Sequence, residues 1–249
     1  MDTYNPFSLQ NKQVLITGAS SGIGKATAIA CSKMGAKIVL TARNKKRLNE
    51  TFSLLEGNGH EIIPANLTKQ EEIENLVAQL PPLDGIIHNA GVGSRVLCKS
   101  ISNEDIDGVF DINFKAPVLL QTALLSTKKI NKAASIVFVS SRAAELPSIG
   151  NSIYSASKGA IISYAKCLGL ELAPRKIRVN CICPAMVWTD LIIQKGITKE
   201  ELETAQLKYP LKRYGTPDDI TYLAIYLLSD ASAWMTGSCI DITGGAKEL

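Results

Sequence analysis

In the stretch S-I-Y-S-A-S-K-G-A, residues 152–160, a phenol stands four residues ahead of an ammonium. Four residues make about one helical turn, so in a helix Tyr154 and Lys158 share a face. An ammonium roughly 5 Å from a phenol, at an effective dielectric of about 20, stabilises the phenolate by about 3 kcal/mol, or some 2 pKa units. The phenol is therefore expected to move from about 10 toward about 8, where proton exchange near neutral pH is efficient. A second chemistry is written in T-G-A-S-S-G-I-G, where Gly18, Gly22 and Gly24 follow an apolar run and precede a helical pattern. Glycines there permit a tight turn and close backbone approach, so that a pyrophosphate can rest on a helix N-terminus. The spacing is G-x-x-x-G-x-G, not the commoner G-x-G-x-x-G. Residues 18–22 also spell G-x-S-x-G around Ser20, the nucleophile elbow of a hydrolase. That mechanism needs a histidine base downstream, and His60 and His88 are the only histidines, which leaves Ser20 without one.

These residues need a scaffold, and the sequence supplies an alternating one. Short β-branched runs (QVLIT, KIVLT, EIIPA, DGIIHNA, SIVFVSS, IRVNCIC, SCIDIT) are separated by amphipathic segments such as KATAIACSKMG, KQEEIENLVAQL and SNEDIDGVFDINFKAPVLLQTALL. The alternation predicts an α/β fold, a doubly wound parallel sheet of about seven strands with helices on both faces and ligands at the carboxyl ends of the strands. Residues 189–214 are the one long excursion without a matching strand, and are expected to form a substrate lid.

At 249 residues, with no linker composition, the chain is expected to be one domain, 1–249. A net charge of +4 is too modest to imply nucleic acid. MDTYNPFSLQNKQ is no signal peptide and no apolar run reaches the ~18 residues of a membrane span, so a cytoplasmic location is expected. The six cysteines lie mostly in apolar segments without a C-x-x-C pair, and read as reduced core thiols with no metal site.

Taken together, the sequence resembles the short-chain dehydrogenase/reductase family over nearly all its length. The resemblance rests on T-G-A-S-S-G-I-G at 17–24, N-A-G at 89–91, Asn113, Ser141 thirteen residues before Tyr154, Lys158, Pro184 with Thr189, T-G at 236–237 and G-G at 244–245. It implies a Rossmann-type sheet and hydride transfer between a nicotinamide and a carbonyl or alcohol carbon. Tyr154 would then pass the proton, Lys158 would depress its pKa and hold the nicotinamide ribose, Ser141 would orient the carbonyl, and Asn113 would support a relay water. Cofactor contacts would come from Gly18, Ser20, Ser21, Gly22, Ile23, Gly24, Arg43, Asn66, Leu67, Asn89, Ala90, Gly91, Pro184, Val187 and Thr189, with Tyr154 and Lys158. Three positions depart from the family pattern. His88 stands where asparagine is frequent, Asn66 where an aspartate commonly meets the adenine, and Ala185 where glycine follows the proline. Asn66 is expected to accept from the adenine amino group through its carbonyl, and Ala185 to lose glycine's freedom at positive φ.

In K-I-V-L-T-A-R, Ala42 fills the place where an NAD-preferring site carries a carboxylate, and Arg43 follows, with Lys45, Lys46 and Arg47 close behind. A guanidinium grips a phosphate with two charge-assisted hydrogen bonds, which predicts NADP(H). Met186, Trp188, Leu191, Ile192 and Ile193, with Lys195 beyond, are expected to give a mostly apolar substrate pocket. Lys132 and Arg175, with Lys128, Lys129 and Lys176, occupy positions similar to the basic residues with which the family's 3-oxoacyl reductases meet acyl carrier protein. A 3-oxoacyl thioester is therefore the first expected substrate, ahead of sugar, polyol, steroid or quinone carbonyls. A non-catalytic NADP(H) sensor is the alternative of another class. The family resemblance further implies a homotetramer or homodimer.

Overall fold

The computed structural model describes residues 4–193 and 198–246; Lys195 lies outside the described residues. Seven strands, β1 (Gln13–Thr17), β2 (Lys37–Thr41), β3 (Glu61–Ile62), β4 (Leu83–His88), β5 (Ile130–Val139), β6 (Arg178–Pro184) and β7 (Cys239–Ile242), form one sheet in the order β3-β2-β1-β4-β5-β6-β7. Every neighbouring pair is parallel. Parallel sheets need both faces covered, and β1 and β6 are buried along nearly their whole length.

The described residues contain eight α-helices, α1 (Gly22–Lys33), α2 (Lys45–Phe52), α3 (Gln70–Gln79), α4 (Asn103–Phe110), α5 (Ala116–Ser126), α6 (Ser152–Leu172), α7 (Lys199–Gln206) and α8 (Pro217–Leu228), most of which cover the sheet. On one face Ile73, Leu120, Leu124, Ile161 and Leu168 of α3, α5 and α6 pack on Leu15, Ile86 and Ile136. On the other, Ala28, Leu48, Ile220 and Leu227 of α1, α2 and α8 pack on Ile16, Ile38 and Ile87. Fully burying a Leu or Ile side chain is worth about 1.5–3 kcal/mol, so these two layers hold the sheet rigid behind its carboxyl edge.

Two elements differ from the sequence reading. The segment 103–126 is not one amphipathic helix: a π-helical turn, Asp111–Lys115, separates α4 from α5. Residues 189–214 contain α7, whose start is fixed by a capping box between Thr198 and Glu201. Leu202, Tyr209 and Tyr214 form a small separate core there with Met186 and Trp188. The cysteines are all free; Cys31, Cys181 and Cys183 are buried as expected, whereas Cys98 and Cys167 are exposed.

Candidate active site

The strand order reverses between β1 and β4, and the crevice above that point holds the glycine turn. Asn89 and Ala90 donate their backbone N–H groups to Thr17 Oγ1, each at 3.0 Å, and Asn89 Nδ2 donates to the carbonyl oxygens of Thr17 and Gly18 at 3.1 and 3.3 Å. The turn after β1 and N-A-G after β4 are thus one unit. A Cβ on Gly18 would stand 2.9 Å from Ala90 Cα, and one on Gly24 would overlap the Gly18 carbonyl oxygen. Gly22 has a different role: at φ +52° it faces Thr189, whose Cγ2 would lie 3.1 Å from an added Cβ.

A cavity of about 530 Å³ opens there, bounded by the glycine turn, Arg43, Asn66 and Thr189. Ser20, Ser21, Ile23, Leu67, Asn89, Ala90 and Gly91 also line it. Ser21 is the N-cap of α1 yet makes no capping hydrogen bond, so its hydroxyl is available to a ligand. The bare turn and helix N-terminus fit a dinucleotide pyrophosphate. Arg43 is exposed at the rim and makes no ion pair or side-chain hydrogen bond among the described residues, whereas Arg47 is tied to Asp190 at 2.6 Å.

A second cavity, of about 1080 Å³, adjoins it and shares Ile23, Asn89, Gly91, Thr189 and Leu191 with it. Ser141, Tyr154 and Lys158 lie on its floor, and Pro184, Ala185 and Val187 on its wall. Helix α6 places Lys158 Nζ 5.8 Å from the centre of the Tyr154 ring and 2.9 Å from the Val139 carbonyl oxygen. Ser141 lies close enough to the Tyr154 phenol to favour its ionised form. The neighbouring serines Ser140 and Ser141 differ in their contacts. Ser140 is buried and donates to the Lys158 carbonyl at 2.9 Å, while Ser141 faces the cavity and accepts from Ala143 N at 3.1 Å. Asn113 accepts from Val92 N at 2.8 Å and donates to Val92 O at 3.0 Å and Ser157 Oγ at 3.1 Å. A Cβ on Gly91 would lie 3.1 Å from Asn113 Oδ1 and 3.4 Å from Lys158 Nζ, so both flank the same point.

Four expectations are corrected. The Tyr154 phenol is not drawn down toward 8: burial raises it, and the nearby Ser141 only partly offsets this. Burial instead lowers Lys158, to about 8, because both side chains lose water and each charged form is disfavoured. The Asn66 carbonyl is not free for an adenine amino group in this structure, because Oδ1 accepts from Thr68 N at 3.3 Å and Thr68 Oγ1 at 2.9 Å. Thr68 N–H can only donate, which fixes the amide orientation and leaves Nδ2 to face the cleft. Lys128, Lys129 and Lys132, with Arg175 and Lys176, lie at the amino ends of β5 and β6, the edge opposite the cavities, where Lys129 and Arg175 donate to the carbonyls of Leu80 and Ile130. Ala185 is not among the residues at positive φ, so alanine is unstrained there.

Sequence reasoning passed over Ser157, which links Asn113 to the Tyr154 carbonyl at 2.7 Å; its signal was the Y-x-x-S spacing on the same helical face. It also passed over Tyr209, which accepts from Met186 N at 3.3 Å and holds the wall beyond β6. His88 is buried against Phe138, stacked at 4.5 Å, with a ring nitrogen 3.1 Å from Gln121 Oε1.

A family model described as Enoyl-(Acyl carrier protein) reductase matches residues 18–247. The chain is 29% identical to a short-chain type dehydrogenase/reductase of known structure from Mycobacterium marinum, with a TM-score of 0.87 over 97% of this chain and 98% of that one. This chain belongs to the short-chain dehydrogenase/reductase family. As such it is an NAD(P)-dependent oxidoreductase acting on CH–OH groups. It is 34% identical to a 3-oxoacyl-[acyl-carrier-protein] reductase of Rickettsia felis over 95% of this chain and 97% of that protein. It is 30% identical to an L-xylulose reductase of Caenorhabditis elegans over 96% and 97%. No helix among the described residues is long and apolar enough to cross a membrane.

Proposed function

We propose that this reductase uses NADP(H), with Tyr154 as the proton donor to a substrate carbonyl and Ser141, Lys158 and Asn113 as its supporting groups. The observation that carries the reading is the grouping of Ser141, Tyr154 and Lys158 on the floor of a cavity that joins the dinucleotide cleft, with Lys158 Nζ 5.8 Å from the centre of the Tyr154 ring. Held by the glycine turn and Lys158, a reduced nicotinamide would supply the hydride for the carbonyl carbon. Tyr154 gives its proton to the carbonyl oxygen, and Ser141 holds that oxygen by a hydrogen bond. The raised phenol pKa favours this direction, since the donor stays protonated at neutral pH. Lys158, at about 8, is mostly charged at pH 7 and stabilises the phenolate left behind. A water between Asn113 and Lys158 returns the proton from solvent.

Arg43, exposed and without a protein partner, is suited to a ribose 2′-phosphate, with Ser21 as a second donor. The substrate lid comprises residues 189–214, of which Thr189, Leu191, Ile192, Leu202 and Tyr209 line the cavity. The first substrate class is a 3-oxoacyl thioester, supported by the similarity to the Rickettsia felis enzyme. Carrier-protein recognition by the basic residues at the amino ends of β5 and β6 would require that edge to meet the mouth of another protomer.

The test is NADPH oxidation against 3-oxoacyl thioesters and neutral ketones by wild type and Tyr154→Phe. Loss of turnover in the variant, with NADPH affinity within about threefold, is expected, because only the transferable proton is removed. Near-normal turnover by Tyr154→Phe excludes the mechanism. NADPH binding by wild type with no turnover of any carbonyl favours a sensor.

A further inference from the structure

The chain has seven arginines. Five are committed to protein: Arg47 to Asp190, Arg142 to Glu145 and Asp241, Arg175 to the Ile130 carbonyl, Arg178 to Ser232 and Ser229, and Arg213 to Asp219. Only Arg43 and Arg95 have no protein partner among the described residues. Arg43 lines the dinucleotide cleft and Arg95 lines the substrate cavity, so each cavity holds one guanidinium with all five N–H donors unassigned.

Arg95 is held against the segment that leads into α6. Val96 N donates to the Gly150 carbonyl at 2.8 Å, and the Arg95 Cγ lies 3.2 Å from where a Gly150 Cβ would stand. Gly150 comes four residues before Tyr154, at the entry to α6. The stem of Arg95 therefore rests on the segment that positions the proton donor, and its head is left for the cavity. Two further cations, Lys158 and Lys208, line the same cavity. The one carboxylate among the lining residues, Glu201, is taken by Thr198 N at 2.8 Å in the α7 cap. Among the described lining residues no carboxylate is thus left to neutralise Arg95.

We infer that the substrate carries an oxyanion, a carboxylate or a phosphate, and that Arg95 is the specificity-determining residue that receives it. The inference rests on the carbonyl-reductase reading above. A planar guanidinium binds either group through paired charge-assisted hydrogen bonds. Two sources share that chemistry: a carboxylate on the ketone itself, or the phosphate of a pantetheine arm behind a thioester.

Two substrate series separate them, each read as NADPH oxidation. The first pairs oxo acids from 3-oxobutanoate to 6-oxoheptanoate with their methyl esters. The second pairs the acetoacetyl thioester of 4′-phosphopantetheine with that of pantetheine. Wild type is expected to favour the charged member of one series by about 10- to 100-fold in kcat/KM, mainly through KM. In Arg95→Gln that preference disappears, in Arg95→Lys it is partly restored, and the NADPH dissociation constant stays unchanged in both. Equal treatment of charged and uncharged members by wild type overturns the inference, as does an Arg95→Gln loss shared equally by both members. Turnover of neutral ketones only would overturn it and leave the reductase reading standing. NADPH binding without turnover of any carbonyl would remove both.

Discussion

Arg43 stands at the cleft rim without a protein partner, while four residues on Arg47 is paired with Asp190 at 2.6 Å. The basic run after β2 is therefore two different things, one available guanidinium and one closing contact to the segment after Val187. If Arg43 holds a 2′-phosphate, a charge-assisted bond worth about 1.5–3 kcal/mol disappears on substitution. Arg43→Ala is expected to raise the NADPH dissociation constant by about 10- to 150-fold and to leave NADH binding nearly unchanged. Titration of both nucleotides by their fluorescence checks this; equal losses, or a wild-type preference for NADH, would contradict it. At this scale the sequence exposed proximity but not environment. The Tyr154–Lys158 spacing was legible because it depends only on the helical repeat. The sign of the phenol shift was not, because burial of both groups is set by β5, β6 and the wall beyond them, far away in sequence. Likewise the acceptor of Asn66 was consumed by Thr68, a local turn that composition does not announce.

Elements show why some parts were readable. Strands β1, β2, β4 and β6 fell where apolar β-branched runs stand, because parallel strands buried on both faces leave little freedom of assignment. The π-helical turn at Asp111–Lys115 was hidden, since its one extra residue leaves the amphipathic pattern almost intact while turning Asn113 inward to Val92 and Ser157. Helix α7 did carry a signal, the Thr198–Glu201 capping box, but lies inside a stretch of mixed polarity. The glycine turn is the element on which the cofactor reading depends most. A Cβ at Gly24 would collide with Gly18 O and Asn89 Nδ2, both of which belong to the joint between β1 and β4. Gly24→Ala is therefore expected to cost about 1–3 kcal/mol through overpacking, lowering Tm by roughly 3–10 °C, and to weaken either nucleotide at least tenfold. Calorimetry with nucleotide titration checks both; an unchanged Tm and affinity would mean that the turn tolerates being opened.

The sheet with its two helical layers behaves as one body whose centre is the β1–β4–β5 region, and His88 sits there at the carboxyl end of β4. Its ring is stacked on Phe138 at 4.5 Å with 8° between planes, and one nitrogen lies 3.1 Å from Gln121. Burial holds its pKa down to about 4, because an imidazolium there would lose water with no carboxylate to compensate. The sign of the pH effect follows. An unfolded histidine titrates near 6.5, so below that pH the unfolded chain binds a proton that the folded chain refuses, and stability falls until about pH 4. The full loss is roughly 3 kcal/mol, a large part of the 5–15 kcal/mol that typically separates folded from unfolded protein. Acidic side chains titrate over the same range, but they are common to wild type and a neutral replacement and cancel in the difference. The stability of wild type relative to His88→Gln is therefore expected to drop by about 2 kcal/mol between pH 7 and pH 5, whatever the offset between the two proteins at pH 7. Urea unfolding of both proteins at the two pH values measures it. A difference that stays constant between them would mean that His88 is protonated in the folded protein, and that the region around β4 opens to water more readily than its packing against Phe138 and Gln121 implies.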